Sequence, residues 1–501
     1  MSYTIENGIL DMFINGRRFI GNGGNWGFPE IYQNYRAREY DAAVAYHADM
    51  GFNMIRNWVG MTGDEEFYEA CDRHGVTVWQ DFWLANPADG PDPDRRTPFM
   101  TAAASMVKMA HTHPSIALYC GRNEGFPPTD LNGSLKELVD SLHPGIIYIP
   151  SSADEVVTGH GPYRALSSKE YFTFRNGADH FHSERGMPNV PNPESLAMML
   201  RPENQWPQGE AWGHHDYIRS GAQSCGSFNQ LIENAFGPSS SMEEFAGRAQ
   251  WLNYDGYRAM FESRSAHRMG LLLWMSHPAW PSMVWQTYDY YLDPTAAYFG
   301  AKKGCAPLRI QYNPVSSKVE VVNLSAGNRT GLTARAKLLN SDGSIAYETS
   351  ASLDSREDST VELMELRAVE GLSRNYYIQL ELLSGEDLLA DNFYWQDLSG
   401  KGDFREIASQ PKAQLKVNTS READSDGMHV IRARITNTSQ SPAPMVRLCL
   451  KDGKARERIL PVFYQDNYFH LLAGESKEVL IRYKEEDAHG GRPIIEASVL
   501  L

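Results

Sequence analysis

Two glutamates, Glu124 and Glu184, are the residues of this sequence best placed to do chemistry, because each ends a short β-prone run. Ser115–Cys120 is typical of a buried strand, and it leads into the polar turn Gly121–Glu124. Retaining cleavage of a glycosidic bond needs two carboxyls about 5 to 5.5 Å apart, one to protonate the leaving oxygen and one to attack the anomeric carbon. The pair therefore predicts such a site, provided that the fold brings the two side chains together.

The front of the chain alternates strand-like and helix-like runs, about eight of each, which is the pattern of a (β/α)8 TIM barrel. The predicted strands are Phe19–Trp26, Asn53–Trp58, Val76–Phe82, Ser115–Cys120, Ile146–Pro150, Gly161–Arg164, His180–Ser183 and Leu271–Met275. The fifth and sixth are weakly marked. Strand ends converge at the carboxyl face of a barrel, so residues as far apart in sequence as Glu124 and Glu184 can share one site there.

The back of the chain has a different character. Ten of the eleven tryptophans of the whole chain lie in the front part, between Trp26 and Trp285, and only Trp395 follows. From about Leu308 the sequence consists of short runs that alternate apolar and polar residues, which is typical of β-sandwiches. We therefore predict a barrel over residues 1–305, followed by two immunoglobulin-like β-sandwiches over residues 306–398 and 399–501.

Composition excludes several classes of partner. The net charge of −16 disfavours binding to nucleic acid or to an anionic membrane surface, since both would be repelled. No apolar run approaches the roughly 18 residues of a membrane span, and the first residues lack the basic and apolar regions of a signal peptide. We expect a soluble protein whose location stays open, periplasmic or extracellular if the N-terminus is truncated. Its partner is an oligosaccharide or glycan, with a homo-oligomer left open.

Several runs of the sequence resemble glycoside hydrolase family 2. These runs are residues 47–58, 66–72, 78–83, 113–128 and 274–281. Within the family the chain is most similar to the branch of mannosylglycoprotein endo-β-mannosidases and exo-β-D-glucosaminidases, on the evidence of Gly161–Tyr163, residues 286–291 and residues 298–303. The resemblance covers roughly residues 8 to 325 and implies a retaining β-glycosidase.

The resemblance also implies roles for individual residues. It makes Glu124 the general acid/base and Glu184 the nucleophile, which forms a covalent glycosyl intermediate. Asn123 would hydrogen-bond the sugar 2-substituent, and Trp274 would form the aromatic floor of the subsite. Arg56 matches the arginine that family members hold near the nucleophile, and from the residues alone it is also our candidate for the cation that keeps a carboxylate ionised.

Four further residues are candidates for binding substrate. Trp83 is the second choice after Trp274 for stacking on a sugar face. Asp81 could bind a sugar hydroxyl or a glucosamine ammonium, although an Asp at a strand end is as often a local partner of the backbone. Tyr163 and His182 are expected to line the pocket by hydrogen bonding.

No cofactor and no metal are expected. The paired histidines at 180 and 182 and at 214 and 215 have no matching carboxylate or cysteine pattern, and the five cysteines are scattered without a CxxC pair. We read all five as free thiols.

The substrate class and the completeness of the site stay open at this stage. The predicted substrates are β-mannosides or β-glucosaminides. Family members normally carry a jelly-roll and an immunoglobulin-like domain before the barrel, whereas here the first barrel strand begins after about twenty residues. The alternatives are therefore a carbohydrate-binding protein without turnover, or a catalytic fragment that needs N-terminal domains.

Overall fold

A small antiparallel sheet begins the structure, which is a computed structural model that describes residues 1–174, 178–217 and 225–501. Its strands are β1 (Ser2–Glu6), β2 (Ile9–Ile14) and β3 (Arg17–Phe19). Leu10 and Met12 of β2 pack with Met54 and Leu118, which lie near the amino ends of two barrel strands. The sheet therefore covers the amino end of the barrel, an element that the sequence analysis did not predict.

Eight parallel strands form a nearly closed barrel, which confirms the predicted barrel architecture. The strands are β4 (Asn22–Trp26), β5 (Met54–Asn57), β6 (Thr77–Asp81), β7 (Ile116–Arg122), β8 (Ile147–Ser151), β9 (Val157–Thr158), β10 (Phe181–Arg185) and β11 (Leu271–Leu273). They lie in the order β8-β7-β6-β5-β4-β11-β10-β9, so the seam falls between β8 and β9. Parallel pairing throughout brings all eight carboxyl ends to one face.

Helices surround the barrel. They are α1 (Ala37–Asp49), α2 (Glu65–His74), α3 (Arg96–Ala110), α4 (Thr129–Leu142), α5 (Ser168–Thr173), α6 (Pro193–Met199), α7 (Glu210–Gly213), α8 (Cys225–Phe236), α9 (Met242–Glu262) and α10 (Ala296–Cys305). The chain passes from β8 to β9 through residues 152–156 without a helix. The predicted sixth strand at Gly161–Arg164 is wrong, because Gly161 has a positive φ of 74° and Pro162 cannot donate to a strand ladder.

Two β-sandwiches follow, as predicted. The first contains β12 (Leu308–Asn313), β13 (Lys318–Asn323), β14 (Arg329–Asn340), β15 (Ile345–Ser355), β16 (Ser359–Glu365), β17 (Asn375–Ser384) and β18 (Asp387–Asp397). After the short helix α11 (Arg405–Ala408), the second contains β19 (Leu415–Arg421), β20 (His429–Asn437), β21 (Ala443–Asp452), β22 (Val462–Tyr464), β23 (Phe469–Leu471), β24 (Ser476–Tyr483) and β25 (Pro493–Val499). Each consists of a three-stranded and a four-stranded antiparallel sheet.

The second sandwich is joined to the barrel by buried polar contacts. Asp293, just before α10, accepts from Arg458 Nη1 at 2.7 Å and from Arg447 Nη2 at 3.3 Å. The Tyr46 hydroxyl of α1 donates to the Leu292 carbonyl oxygen at 2.9 Å and accepts from the Val462 amide at 2.8 Å. Both contacts hold the segment that leads from the last barrel strand into α10.

Candidate active site

Arg56 lies at the centre of a cluster of polar side chains at the carboxyl ends of the barrel strands. Its Nη1 donates to Glu184 Oε1 at 2.7 Å, and its Nη2 donates to Asn123 Oδ1 at 2.8 Å. Nε and Nη2 also donate to Asp81 Oδ2, at 3.0 Å and 2.7 Å. The guanidinium is fully buried. One side chain on β5 therefore fixes residues that belong to β6, β10 and the turn after β7.

The Tyr163 hydroxyl lies between the two glutamates. It is 2.5 Å from Glu184 Oε2 and 2.9 Å from Glu124 Oε1. The two bonds limit the separation of these oxygens to the sum of their lengths, 5.4 Å. The structure thus brings Glu124 and Glu184 into one site, as the strand-end argument predicts.

The tyrosine hydroxyl has a single proton, which constrains where the protons of the site reside. It donates to Glu184, the closer carboxylate, whose other oxygen is paired with Arg56. Its contact with Glu124 is then a hydrogen bond only when Glu124 carries a proton and donates it to the tyrosine oxygen. The shorter bond therefore assigns the hydroxyl proton of Tyr163 to the contact with Glu184.

Glu124 is held in place by the loops around it. Asn86 Nδ2 donates to Glu124 Oε2 at 3.0 Å, and His160 Nδ1 lies 3.1 Å from Oε1. The Glu124 amide donates to Ser152 Oγ at 3.0 Å. Its backbone is in the left-handed region with φ of 45°, a conformation that costs a residue with a side chain about 1 to 2 kcal/mol. These contacts maintain that conformation and with it the direction of the carboxyl group.

Burial sets the charge balance of the site. It raises the pKa of Glu184 to about 7, opposed by the Arg56 charge and reinforced by Glu124. Burial alone would lower the pKa of Arg56, but the charges of Asp81 and Glu184 raise it above its ordinary value. Burial and the charge of Glu184 raise the pKa of Tyr163, so its hydroxyl keeps its proton.

Trp274 belongs to an aromatic wall beside the two carboxyls. Its ring packs edge-on against Trp58 at 5.0 Å between centroids, Trp285 at 5.7 Å and Tyr163 at 6.2 Å. It directly follows β11, and it is partly exposed. A partly exposed ring next to two carboxyls suits the apolar C–H face of a sugar.

The remaining predicted residues occupy three kinds of position. Asp81 is fully buried and accepts from Arg56, Trp79 and the Val59 amide, so its contacts orient Arg56 and offer no surface to a sugar. Trp83 is 38% exposed on the loop after β6, where its Nε1 donates to the Gly60 carbonyl oxygen at 3.0 Å.

His182 lies beneath the site and is fully buried. Burial and the nearby arginines lower its pKa well below the ordinary value, so the ring is neutral with a single N–H. Its Nε2 must donate to the Gly161 carbonyl oxygen at 2.7 Å, which leaves Nδ1 to accept from the Thr158 hydroxyl at 2.9 Å. Both nitrogens are therefore used within the protein, and the structure does not bring His182 to the pocket surface as the sequence analysis expected.

Three residues of the site were missed by the sequence analysis: Asn86, Ser152 and His160. The signal for Ser152 was present, since it is a polar residue just after the predicted strand Ile146–Pro150. Asn86 and His160 lie in loops whose paths no periodic pattern predicts. Elsewhere among the described residues, no group of three or more His, Cys, Asp or Glu is arranged to hold a metal.

Among the residues that the structure describes, no helix is long and apolar enough to span a membrane. All five cysteines are buried, and Cys71, Cys120, Cys305 and Cys449 are free thiols.

Comparison with known proteins confirms the resemblance. Residues 392–499 match the family model described as exo-β-D-glucosaminidase Ig-fold domain. An exo-β-D-glucosaminidase of Streptomyces avermitilis is 27% identical, over 98% of this chain and 60% of its own length. A mannosylglycoprotein endo-β-mannosidase of Lilium longiflorum is 25% identical, over 96% of this chain and 62% of its own. The chain thus spans about 60% of the length of these relatives.

Solved structures confirm the fold. An exo-chitosanase of Amycolatopsis orientalis, in complex with PNP-β-D-glucosamine, superposes with a TM-score of 0.90 at 22% identity, over 100% of this chain and 65% of that one. A β-D-mannosidase of Dictyoglomus thermophilum superposes with a TM-score of 0.79 at 20% identity, over 99% of this chain and 62% of that one. A barrel followed by sandwiches is therefore an arrangement that this chain shares with both.

Proposed function

We propose that this chain carries the catalytic unit of a retaining β-glycosidase of the kind to which its sequence relatives belong, acting on β-mannosides or β-glucosaminides. The contact of Tyr163 with both carboxyls carries the proposal. It limits one pair of oxygens of Glu124 and Glu184 to 5.4 Å, the sum of the bonds of 2.9 Å and 2.5 Å. Retaining enzymes have carboxyls about 5 to 5.5 Å apart, and inverting enzymes about 6.5 to 9.5 Å.

The hydrogen bonding supports one assignment of roles. In the first step the Glu184 carboxylate forms a bond to the anomeric carbon, the bond from that carbon to the leaving oxygen breaks, and Glu124 gives its proton to that oxygen. In the second step Glu124 removes a proton from water, the water oxygen bonds to the anomeric carbon, and Glu184 leaves as a carboxylate. Glu184 suits the first role because Arg56 and Tyr163 stabilise its charge.

The charge of the site suits the proposed substrates. With Glu124 protonated, Asp81 and Glu184 place two negative charges against the single positive charge of Arg56. The residual negative charge stabilises the positive charge that develops on the sugar in an oxocarbenium-like transition state. It would also favour a sugar that carries an ammonium group, as a β-glucosaminide does.

A panel of β-glycosides tests the proposal. The panel contains aryl β-mannoside, β-glucosaminide, β-N-acetylglucosaminide, β-galactoside and β-glucuronide, with Glu184→Gln as the matched control. We expect turnover of the mannoside or the glucosaminide, lost in Glu184→Gln. NMR of the first product should show the β-anomer, and a 2-deoxy-2-fluoro β-glycoside should add one sugar mass to the Glu184 peptide.

The same panel distinguishes the alternatives. An α-anomer as the first product would contradict retention and leave hydrolysis in place. Sugar binding without turnover in the unaltered chain would overturn the proposal that this chain is an active enzyme by itself. It would support either a carbohydrate-binding protein or a site that needs further residues. The partial coverage of the relatives favours the second alternative.

A further inference from the structure

Two exposed aromatic rings, Trp83 and Phe126, lie on the loops after the third and fourth barrel strands. Their side chains are 38% and 45% exposed. Phe126 is two residues beyond Glu124, and Trp83 is three residues before Asn86, whose Nδ2 donates to Glu124 Oε2 at 3.0 Å. Both rings thus belong to the two loops that position the proposed general acid.

The two loops are fastened together by a buried arginine. Arg122, at the end of β7, is 4% exposed; its Nη1 donates to Asp92 Oδ1 at 2.6 Å and its Nε to the Ala85 carbonyl oxygen at 2.9 Å. The Trp83 indole is fixed in turn by its bond to the Gly60 carbonyl oxygen. A ring that is already fixed, as that of Trp83 is, loses little conformational entropy when a ligand packs on it.

We propose that Trp83 and Phe126 form the platform that binds the leaving group of an oligosaccharide substrate. The inference rests on the proposed function, because it takes Glu124 as the acid. The glycosidic oxygen must lie within hydrogen-bond reach of Glu124 when it receives the proton. The sugar attached to that oxygen then extends away from Glu184 and the Trp274 wall, across the loops that carry the two rings.

A saccharide is the ligand that fits these rings. The C–H face of a pyranose is flat and apolar, and it packs on an aromatic ring while its hydroxyl groups stay in water. A small leaving group does not extend over the loops and gains nothing from them. The platform therefore predicts a preference for oligosaccharides over substrates with minimal leaving groups.

Two substrates with the same β-linked sugar test the platform. One is the β-glycosyl fluoride, whose leaving group is a single fluoride ion, and the other is a β-linked trisaccharide. The measured quantity is the ratio of kcat/KM for the trisaccharide to kcat/KM for the fluoride. We expect Trp83→Ala and Phe126→Ala each to lower this ratio about tenfold, as the loss of one aromatic contact would. Trp83→Phe, which keeps a ring, should retain most of it.

Tyr347→Ala is the matched control, since Tyr347 is 39% exposed on β15 of the first sandwich. It should leave the ratio unaltered. A ratio that stays the same in both alanine variants, or falls equally in the control, would overturn the platform while the glycosidase stands. Failure of the unaltered chain to hydrolyse the fluoride in a Glu184-dependent way would overturn the proposed function and the platform together.

Discussion

The Arg56 guanidinium donates to the Glu184 carboxylate at 2.7 Å, and both side chains are buried. Ion pairs of this kind are costly to break, since removing one partner leaves an uncompensated charge in a poorly solvated place. Here the same guanidinium also holds Asp81 and Asn123. The position of the proposed nucleophile thus depends on Arg56, a side chain from a different strand.

Replacing Arg56 by lysine should lower kcat about 100-fold, because the transition state loses roughly 3 kcal/mol of fixed electrostatic stabilisation. An ammonium keeps the charge but cannot bond Glu184, Asp81 and Asn123 at once with a planar fork. Steady-state kinetics on the preferred glycoside measure the effect. Arg367→Lys, at a position 80% exposed, is the control. An Arg56→Lys enzyme with unaltered kcat would remove Arg56 from the catalytic arrangement.

The activity should fall on the acid side as Glu184 takes up a proton. Its pKa is raised to about 7, mainly by burial, and only the carboxylate can attack the sugar. Activity is therefore present above this pKa and lost as pH falls through it. The profile of kcat/KM against pH on the glycosyl fluoride, which needs no general acid, reports this limb. A flat profile down to pH 5 would contradict the assignment of Glu184.

Tyr163→Phe should lower kcat about tenfold and move the acid limb to higher pH. The hydroxyl bond to Glu184 lowers the pKa of that carboxyl, so its loss makes the nucleophile easier to protonate. A hydrogen bond to a charged group is worth about 1.5 to 3 kcal/mol, enough for a tenfold effect or more. The same pH profile, recorded for both kcat and kcat/KM, measures both changes. A fall in kcat with no movement of the limb would indicate a role in packing alone.

Glu124→Gln should discriminate between leaving groups. A glutamine cannot protonate the glycosidic oxygen, so hydrolysis of an unactivated oligosaccharide should fall by about 10² to 10⁴-fold. The glycosyl fluoride needs no such proton and should show a much smaller loss in its first step. Azide, which attacks without a general base, should restore turnover and give a β-glycosyl azide. Equal losses on both substrates without azide rescue would sink the assignment of Glu124.

Asp293→Asn should destabilise the fold by about 3 to 5 kcal/mol, because the buried Arg458 loses its carboxylate partner, while Arg447 keeps Glu194. Urea denaturation followed by tryptophan fluorescence measures the change. Glu365→Gln breaks an exposed ion pair with Arg367 and should alter stability by less than about 1 kcal/mol. Similar values for the two variants would mean that the cluster between barrel and sandwich contributes little.

The sequence predicted the barrel well where the strands are long and apolar. Val76–Phe82 and Ser115–Cys120 were found within a few residues of β6 and β7, because buried parallel strands form continuous apolar runs. β9 has only two residues, too few to show any period. The small sheet β1 to β3 was missed because the sequence analysis assigned no strand before Phe19.

As with the strands, the prediction of the site succeeded for residues that a local pattern marks and failed for contacts between distant segments. Glu124, Glu184 and Arg56 were identified because each ends a recognisable strand and matches a family motif. Asp81 and His182 lie near the site but not on the pocket surface, and the sequence could not show that their polar atoms are all used by protein partners. That depends on contacts between segments far apart in the chain, such as His182 with Gly161. The domain boundaries and the roles of the individual residues remain predictions.

The small sheet at the amino end of the barrel determines the route by which molecules reach and leave the site. In the described part of the chain this sheet covers the barrel end opposite to the carboxyl groups of Glu124 and Glu184. Substrate, water and products therefore pass through the open end of the barrel beside Glu124. The departing saccharide and the incoming water then need the same space in turn. A saccharide that stays bound there can accept the glycosyl group from Glu184 in place of water. A high concentration of oligosaccharide should therefore convert hydrolysis into glycosyl transfer.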